Sequence, residues 1–509
     1  MHPGERRRGV RGVGRAEADE LVRIGHPRDG RPAAYTLAMA TDDVASEGAQ
    51  TTSVTPAPWR EVFRGRRGRL TAGLLVLEAL VAVQSLVVAT IMPDIRADLG
   101  MVQLYGLAFT ALSLATIASI PIVGRAIDRF GTRAVLVPVL AVFATGLLVS
   151  ATAPAMPVVL LGQFLQGAGG GGLYALSLGT VAKTYPDHLR PRVLALLATM
   201  WILPGLVGPP VGAAIASTVG WRWSFVAPIP VLVATWALIA PVLDLVPRPE
   251  TTGPRVSLRW PLQLMVGAGF VFVALTAFAW WVPVAVAVGF AIGIPALRRI
   301  APPGTFRATP GQGAIGAAAF LLSVSFLAMD AFLTLMLTRE RGLSLAAAGL
   351  AITVATVTWA LGALWQSNRA GERRLSWLVG VGALLLLLGQ VAVTSTLWEH
   401  VPLIFAYIGW GVVGAGMGIA FATIPLAAMR VSGSGEEGEE LSSVLLMDML
   451  GVATGAGLGG AAIALSDALE APLRTGLAGA FGLALVAAVM LLIITPRIPS
   501  GRPEGQIGS

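Results

Sequence analysis

The chain has 509 residues, 55% of them hydrophobic and only 13% charged, with a mean hydropathy of +0.75. That leaves too little polar surface to cover a water-soluble globule of this length, so the composition excludes one and requires lipid as the surrounding medium. Cysteine is absent and the four histidines, His2, His26, His188 and His400, are scattered, which excludes thiolate and histidine-cluster metal chemistry; no metal or cofactor is expected. A formal charge of +8 is compatible with nucleic acid, but the basic residues lie between apolar runs, where they orient membrane segments; no nucleic-acid partner is expected.

Residues 1–69 are rich in Arg, Gly, Pro and acidic side chains, without apolar periodicity or a signal-peptide core, and are predicted to be a disordered tail. Met39 opens the stretch MATDDVASEG, which has the character of an ordinary soluble N-terminus, so residues 1–38 read as an over-extended frame, with a regulatory tail as the alternative. Beyond the tail, apolar runs long enough to span about 30 Å of hydrocarbon recur. They lie at 70–92, 104–124, 134–153, 158–180, 193–216 and 222–243, then 261–278 and 280–297, then 313–337, 344–366, 376–396, 401–429, 441–465 and 475–495. The runs are long and uniform and lack strand alternation, so the expected architecture is an all-α polytopic membrane protein with fourteen spans. Residues 70–243 and 313–495 form two sets of six; 244–312 is a linker carrying the hairpin 261–297, and 496–509 is a polar tail.

From Arg60 onward, loops on the side of the N-terminus hold 23 Lys and Arg, and the opposite loops hold only Arg96, Arg222, Arg339, Arg341 and Arg474. The asymmetry predicts cytoplasmic termini in a cell inner membrane. The pair 261–278 and 280–297 reads either as a hairpin turning at Trp280 and Trp281 or as one surface segment; both preserve the parity.

Between the second and third spans the chain reads GRAIDRFGTR. Gly131 permits a tight turn, Arg129 and Arg133 hold the loop at the leaflet, and Asp128 is placed to cap or pair with a neighbouring helix. Gly124, Asp128, Arg129, Gly131 and Arg133 stand in the spacing of the loop signature of the major facilitator superfamily, and the chain resembles that family. In the fourth span LLGQFLQGAGGGG is similar to the family's glycine-rich segment there through Gln166, Gly167 and Gly169, and Gln163, Gln166 and Gly167 are the candidate cavity residues of that helix. In the fifth, PGLVGPPVGA resembles the motif of proton-driven antiporters through Gly208, Pro209 and Gly212, with Ala213 replacing the last glycine; helix packing and kinking explain the same residues equally well. Together with WRWSF at 221–225, the pattern is similar to the fourteen-helix drug:proton antiporter branch. A fainter copy of the loop signature at GALWQSNRAGERR, with Gly362, Gln366, Arg369, Gly371, Arg373 and Arg374, points to an internal repeat. The resemblance implies two six-helix bundles around a central site.

The chain also departs from that branch. Gln84 stands where an aspartate is usual in the first span, and Gln163 where an arginine is usual in the fourth, which puts the family's standard proton relay in doubt. Three carboxyls nonetheless lie within spans: Glu78, Asp330 and Asp448. Each costs about 2.5–3.5 kcal/mol at helix centre, and removal from water favours the neutral acid, the condition for a group that takes up and releases protons. Glu78 and Asp330 fall, by the resemblance, on cavity-lining helices and are the coupling candidates; Asp448 falls on a gate-forming helix and equally suits a buried structural acid. No Lys or Arg lies well inside a span, so neutral or cationic amphiphiles are the expected substrates, with Phe109, Tyr174, Trp201, Phe326, Trp359, Trp365 and Tyr407 available for stacking.

Other classes fail on the same residues. Lys183 is the only lysine and has no glycine-rich phosphate loop before it, which excludes an ATP-driven pump; no nucleophile–base or metal cluster lies within the spans, so no enzyme is expected. Gly414, Gly416 and Gly418 sit in a membrane span without a preceding strand and read as packing residues rather than a dinucleotide turn. The expected protein is a monomeric secondary transporter coupled to a proton or another ion, exporting small molecules, with a solute:proton symporter or a metabolite or lipid transporter as the alternative.

Overall fold

The computed structural model describes residues 59–186, 189–200, 202–246, 257–277, 279–369, 374–431 and 437–499. The tail up to residue 58 with its candidate start at Met39, the end of the C-terminal tail, and Trp201, Gly371 and Arg373 lie outside them. The described residues contain helices and no strand. Eleven helical segments among them are long and apolar enough to cross a membrane.

The first six helices are α1 (Gly65–Leu99), α2 (Tyr105–Phe130), α3 (Thr132–Ala151), α4 (Met156–Thr184), α5 (Ile202–Val219) and α6 (Pro228–Ile239). A pair follows, α7 (Arg259–Leu275) and α8 (Val282–Ile300). The last six are α9 (Gln312–Leu335), α10 (Leu345–Arg369), α11 (Leu375–Ser395), α12 (Ile404–Val431), α13 (Glu437–Ala468) and α14 (Leu473–Ile494). We call the end at which α1 begins the tail end and the end at which it finishes the far end.

One predicted span is broken. The run 193–216 is divided into a helix at Arg190–Thr199 and α5, with a turn at Met200. Pro204 falls in the first turn of α5, where its missing N–H leaves no helical bond unmade, so it suits a helix start at this point.

Glycine sets the spacing between helices. A side chain at Gly167 would run into the backbone of Leu112, one at Gly146 into that of Gly162 and Gln166, and one at Gly389 into that of Gly409. Gly414 and Gly418 lie against α10 and Gly416 against α11, which is the packing role expected for this run. With little hydrophobic drive between helices in lipid, such close approaches supply dispersion contact instead.

Within the first six helices α2 and α3 both pack on α4, and α1 packs on α5 and α6. Within the last six, α10 and α11 pack on α12, and α9 packs on α13 and α14. The equivalence of these pairings is the structural form of the internal repeat. Two seams join the halves: α2 against α13 and α5 against α10.

Candidate substrate and coupling site

The far end of the central interface is shut by contacts between the halves. Pro93 lies inside α1 and cannot donate to Ala89, so the Ala89 carbonyl is left for another donor. Thr334 of α9 takes that role, its Oγ1 donating at 2.8 Å. Arg339 donates to the Pro93 carbonyl at 3.3 Å, and Gln103 Nε2 to Asp467 Oδ2 at 2.5 Å. Deeper along the α2–α13 seam, Thr110 Oγ1 donates to the Ala453 carbonyl at 3.2 Å and Gly106 lies directly on Gly460.

Below this seal, α9 places Asp330 one turn beyond Phe326 and both are half-buried. Phe326 stacks on Trp410 with ring centroids 5.3 Å apart and meets Trp359 edge-on at 5.5 Å; Trp359 meets Phe421 at 5.5 Å. Four rings from α9, α10 and α12 therefore form one continuous aromatic cluster, in which Trp410 is fully buried and Phe326, Trp359 and Phe421 are half-buried. Asp448 of α13 closes its other side, lining a small cavity with Phe421, Leu322 and Ile424 and accepting a hydrogen bond from Ser323. Among the described residues neither Asp330 nor Asp448 makes an ion pair.

The first half contributes a polar seam. Val81 of α1 lies against Gly170 of α4, and helical spacing puts Glu78 and Gln84 on that face of α1, Tyr174 and Gln163 on that face of α4. Glu78 is buried, and both it and Asp448 lie within long-range electrostatic reach of Tyr174. Gln84 and Gln163 are buried, and neither amide has a hydrogen-bond partner among the described residues. Each such group costs about 1–3 kcal/mol unless water or a ligand satisfies it. Asp330 lies within electrostatic reach of Tyr105 at the far-end seal.

Other predicted residues turn out to hold helices in place. Gln166 donates to Ser150 Oγ at 2.9 Å, tying α4 to α3. Gly212 lies against Val87 and Gly208 near Val83 and Leu86, both on α1, whereas Pro209 faces Gly349 of α10. The antiporter-like stretch thus lies where α5 bridges the halves. In the loop motif Gly131 ends α2 at φ +81°, Asp128 pairs with Lys183 at 2.7 Å, and Arg129 stacks on Phe130. Gly124 borders open space, and Arg133 lies near Asp244, which Arg66 binds at 2.5 Å. Of the predicted aromatics, Phe326 and Trp359 enter the ring surface, Tyr407 donates to the Ala347 carbonyl, and Trp365 packs on Trp377. Trp410, Phe421 and Ser323 are site residues that the sequence reading did not single out.

Comparison with known proteins settles the family. The description Major Facilitator Superfamily matches residues 74–438. The chain belongs to the major facilitator superfamily. A probable multidrug-efflux transporter of Mycobacterium tuberculosis is 28% identical over 461 residues, covering 85% of this chain and 95% of the relative. An efflux pump of Gibberella moniliformis is 26% identical over 200 residues, 39% of this chain and 36% of that one. Among solved structures, a bacterial homologue of the human lysosomal transporter spinster, inward-facing and unoccupied, superposes with a TM-score of 0.61 at 15% identity, covering 86% of this chain and 98% of that one. A D-xylose–proton symporter gives 0.62 at 13% identity, covering 86% and 100%. The superfamily member described here is a multi-pass membrane transporter and not an enzyme.

Proposed function

We propose that this transporter exports neutral or cationic amphiphilic small molecules in exchange for protons. The observation that carries the reading is the aromatic cluster whose half-buried rings Phe326, Trp359 and Phe421 are flanked by Asp330 and Asp448, two carboxyls without a cationic partner among the described residues. Aromatic faces attract a desolvated cation and the carboxyl beside them supplies its counter-charge; when the substrate leaves, a proton takes its place. Glu78 and Asp330, one from each half, are the proposed coupling acids. Asp448 is the third candidate.

The names of the mycobacterial and fungal relatives support efflux of varied compounds. The D-xylose–proton symporter has a similar fold, so direction rests on the site and the relatives rather than on architecture. We further propose fourteen crossings in the inner membrane, with residues 70–243 and 313–495 as the two bundles, the pair α7–α8 inserted between them in sequence, both termini cytoplasmic and the protein monomeric. The tail end then faces the cytoplasm, and the seal described above is the outer gate.

Everted vesicles carrying the overexpressed protein, a pH-sensitive dye and a panel of lipophilic cations and neutral amphiphiles test direction and ion together. Export predicts that added substrate dissipates a preformed proton gradient and accumulates inside the vesicles. Substrate movement out of the vesicles with the same ion dependence would establish the symporter instead.

A further inference from the structure

Helices α7 and α8 return to the tail end with three arginines, Arg259, Arg298 and Arg299, all exposed. Arg259 and Arg299 both lie over the indole of Trp260, their guanidinium carbons 4.9 and 5.8 Å from its centroid. Among the described residues none of the three is paired with a carboxylate. Two like charges share one aromatic ring at this helix-pair end and Arg298 is the chain neighbour of one of them, an arrangement that favours an anion from outside the chain.

The surface beneath the arginines is apolar and uncovered. Leu262, Val266, Phe270 and Val273 are exposed and spaced to form one stripe down α7 on the side of Arg259. Only 17% of the apolar stretch of α8 is buried within the protein, against 78% for the segment containing α9, so α8 turns most of its surface outward. The pair is internally firm: Gln263 Nε2 donates to the Ile292 carbonyl at 2.8 Å, and Gly267 packs closely on Gly293. It also touches both halves, with Phe272 of α7 against Gly457 of α13 and Leu114 of α2 near Gly269.

We propose that Arg259, Arg298 and Arg299 bind the phosphate headgroup of an anionic membrane lipid whose acyl chain lies along the Leu262–Val273 stripe. Guanidinium groups recognise phosphate oxygens through paired, charge-assisted hydrogen bonds, and Trp260 sits at the level where amphipathic rings prefer to lie. The bound lipid fastens the α7–α8 pair across the α2–α13 seam, which has to shear if the halves move. The site rests on membrane insertion alone and is independent of substrate, direction and coupling ion.

Native mass spectrometry of the full-length protein in uncharged detergent, titrated with phosphatidylglycerol or with phosphatidylcholine of the same chains, tests it. We expect phosphatidylglycerol to be retained in preference to phosphatidylcholine. The triple variant Arg259→Gln, Arg298→Gln, Arg299→Gln should weaken that retention by about 100-fold, and the triple Arg→Lys variant, which keeps the charge, should weaken it less. A control variant neutralising exposed arginines of the same end, Arg64→Gln, Arg67→Gln, Arg69→Gln, should stay close to the unaltered protein. Equal weakening in the control, equal retention of phosphatidylcholine, or full displacement by millimolar inorganic phosphate would each overturn the assignment, the last by showing a site for the free ion.

Discussion

Gly106→Val should open the far-end seal. A Cβ at Gly106 would stand 2.6 Å from the Gly460 Cα, in a seam where both helices present only backbone. Non-bonded carbons settle at roughly 3.5–4.0 Å, so α2 and α13 would have to part by about 1 Å at this level. Overpacking of this kind costs about 1–3 kcal/mol, and the cost falls on the sealed state alone, because the two helices belong to different halves. At 1.4 kcal/mol per tenfold, the sealed-to-open ratio drops by roughly 5- to 150-fold. The chain contains no cysteine, so Thr334→Cys, at a position that is fully buried in the sealed state, reports opening without background. Its labelling rate by a membrane-impermeant maleimide should rise by that factor when Gly106→Val is added. An unchanged rate in a variant that still reaches the membrane would refute the view that this glycine contact holds the seal.

Three further outcomes follow from the same geometry. Glu78→Gln and Asp330→Asn should each abolish pH-driven transport in vesicles while sparing membrane insertion; full proton-coupled transport in both would remove them as coupling acids. Phe326→Leu keeps apolar bulk but loses the ring stacked on Trp410, so binding of a lipophilic cation should weaken by about 5- to 30-fold, equivalent to roughly 1–2 kcal/mol of cation–π attraction; an unchanged Kd measured by fluorescence titration would take the aromatic surface out of the site. Pro283→Cys, at the α7–α8 turn, should label from the outside of intact cells, and labelling only from the cytoplasmic side would establish twelve crossings.

Helix positions were legible because a span needs a long apolar run, and nothing else in this composition produces one. The break at Met200 was legible in principle from Pro204, but prolines are common in membrane helices and most are accommodated: Pro121, Pro138 and Pro425 all lie inside continuous helices here. What separates the cases is the surrounding packing, which a linear sequence does not display. The loop motif located its turn and its Asp128, yet the partner Lys183 lies 55 residues away and only the fold of α2 against α4 brings it within 2.7 Å. Trp410 and Phe421 escaped notice for a similar reason. They sit in an apolar, glycine-rich span where a ring reads as lipid-facing, and only the close approach of α10 and α12, permitted by Gly414 and Gly418, turns them toward Phe326 and Trp359.

The two buried amides bear on where the coupling chemistry can reside. An aspartate and an arginine facing each other across α1 and α4 would neutralise one another and hold the charges needed for a relay in that seam. Gln84 and Gln163 occupy the same facing sides, carry no charge at any pH, and have no hydrogen-bond partner among the described residues. Removing a buried pair as a unit is tolerated far better than removing one member, since a lone charge left in an apolar interior costs about 3–5 kcal/mol. The amides therefore keep polarity in the seam without titration. Under the proposed mechanism, protonation has to fall on the remaining carboxyls: Glu78, one turn before Val81 on the same face of α1, and the acids of the second half that face the aromatic surface. Glu78 and Asp448, from opposite halves, both lie within electrostatic reach of Tyr174.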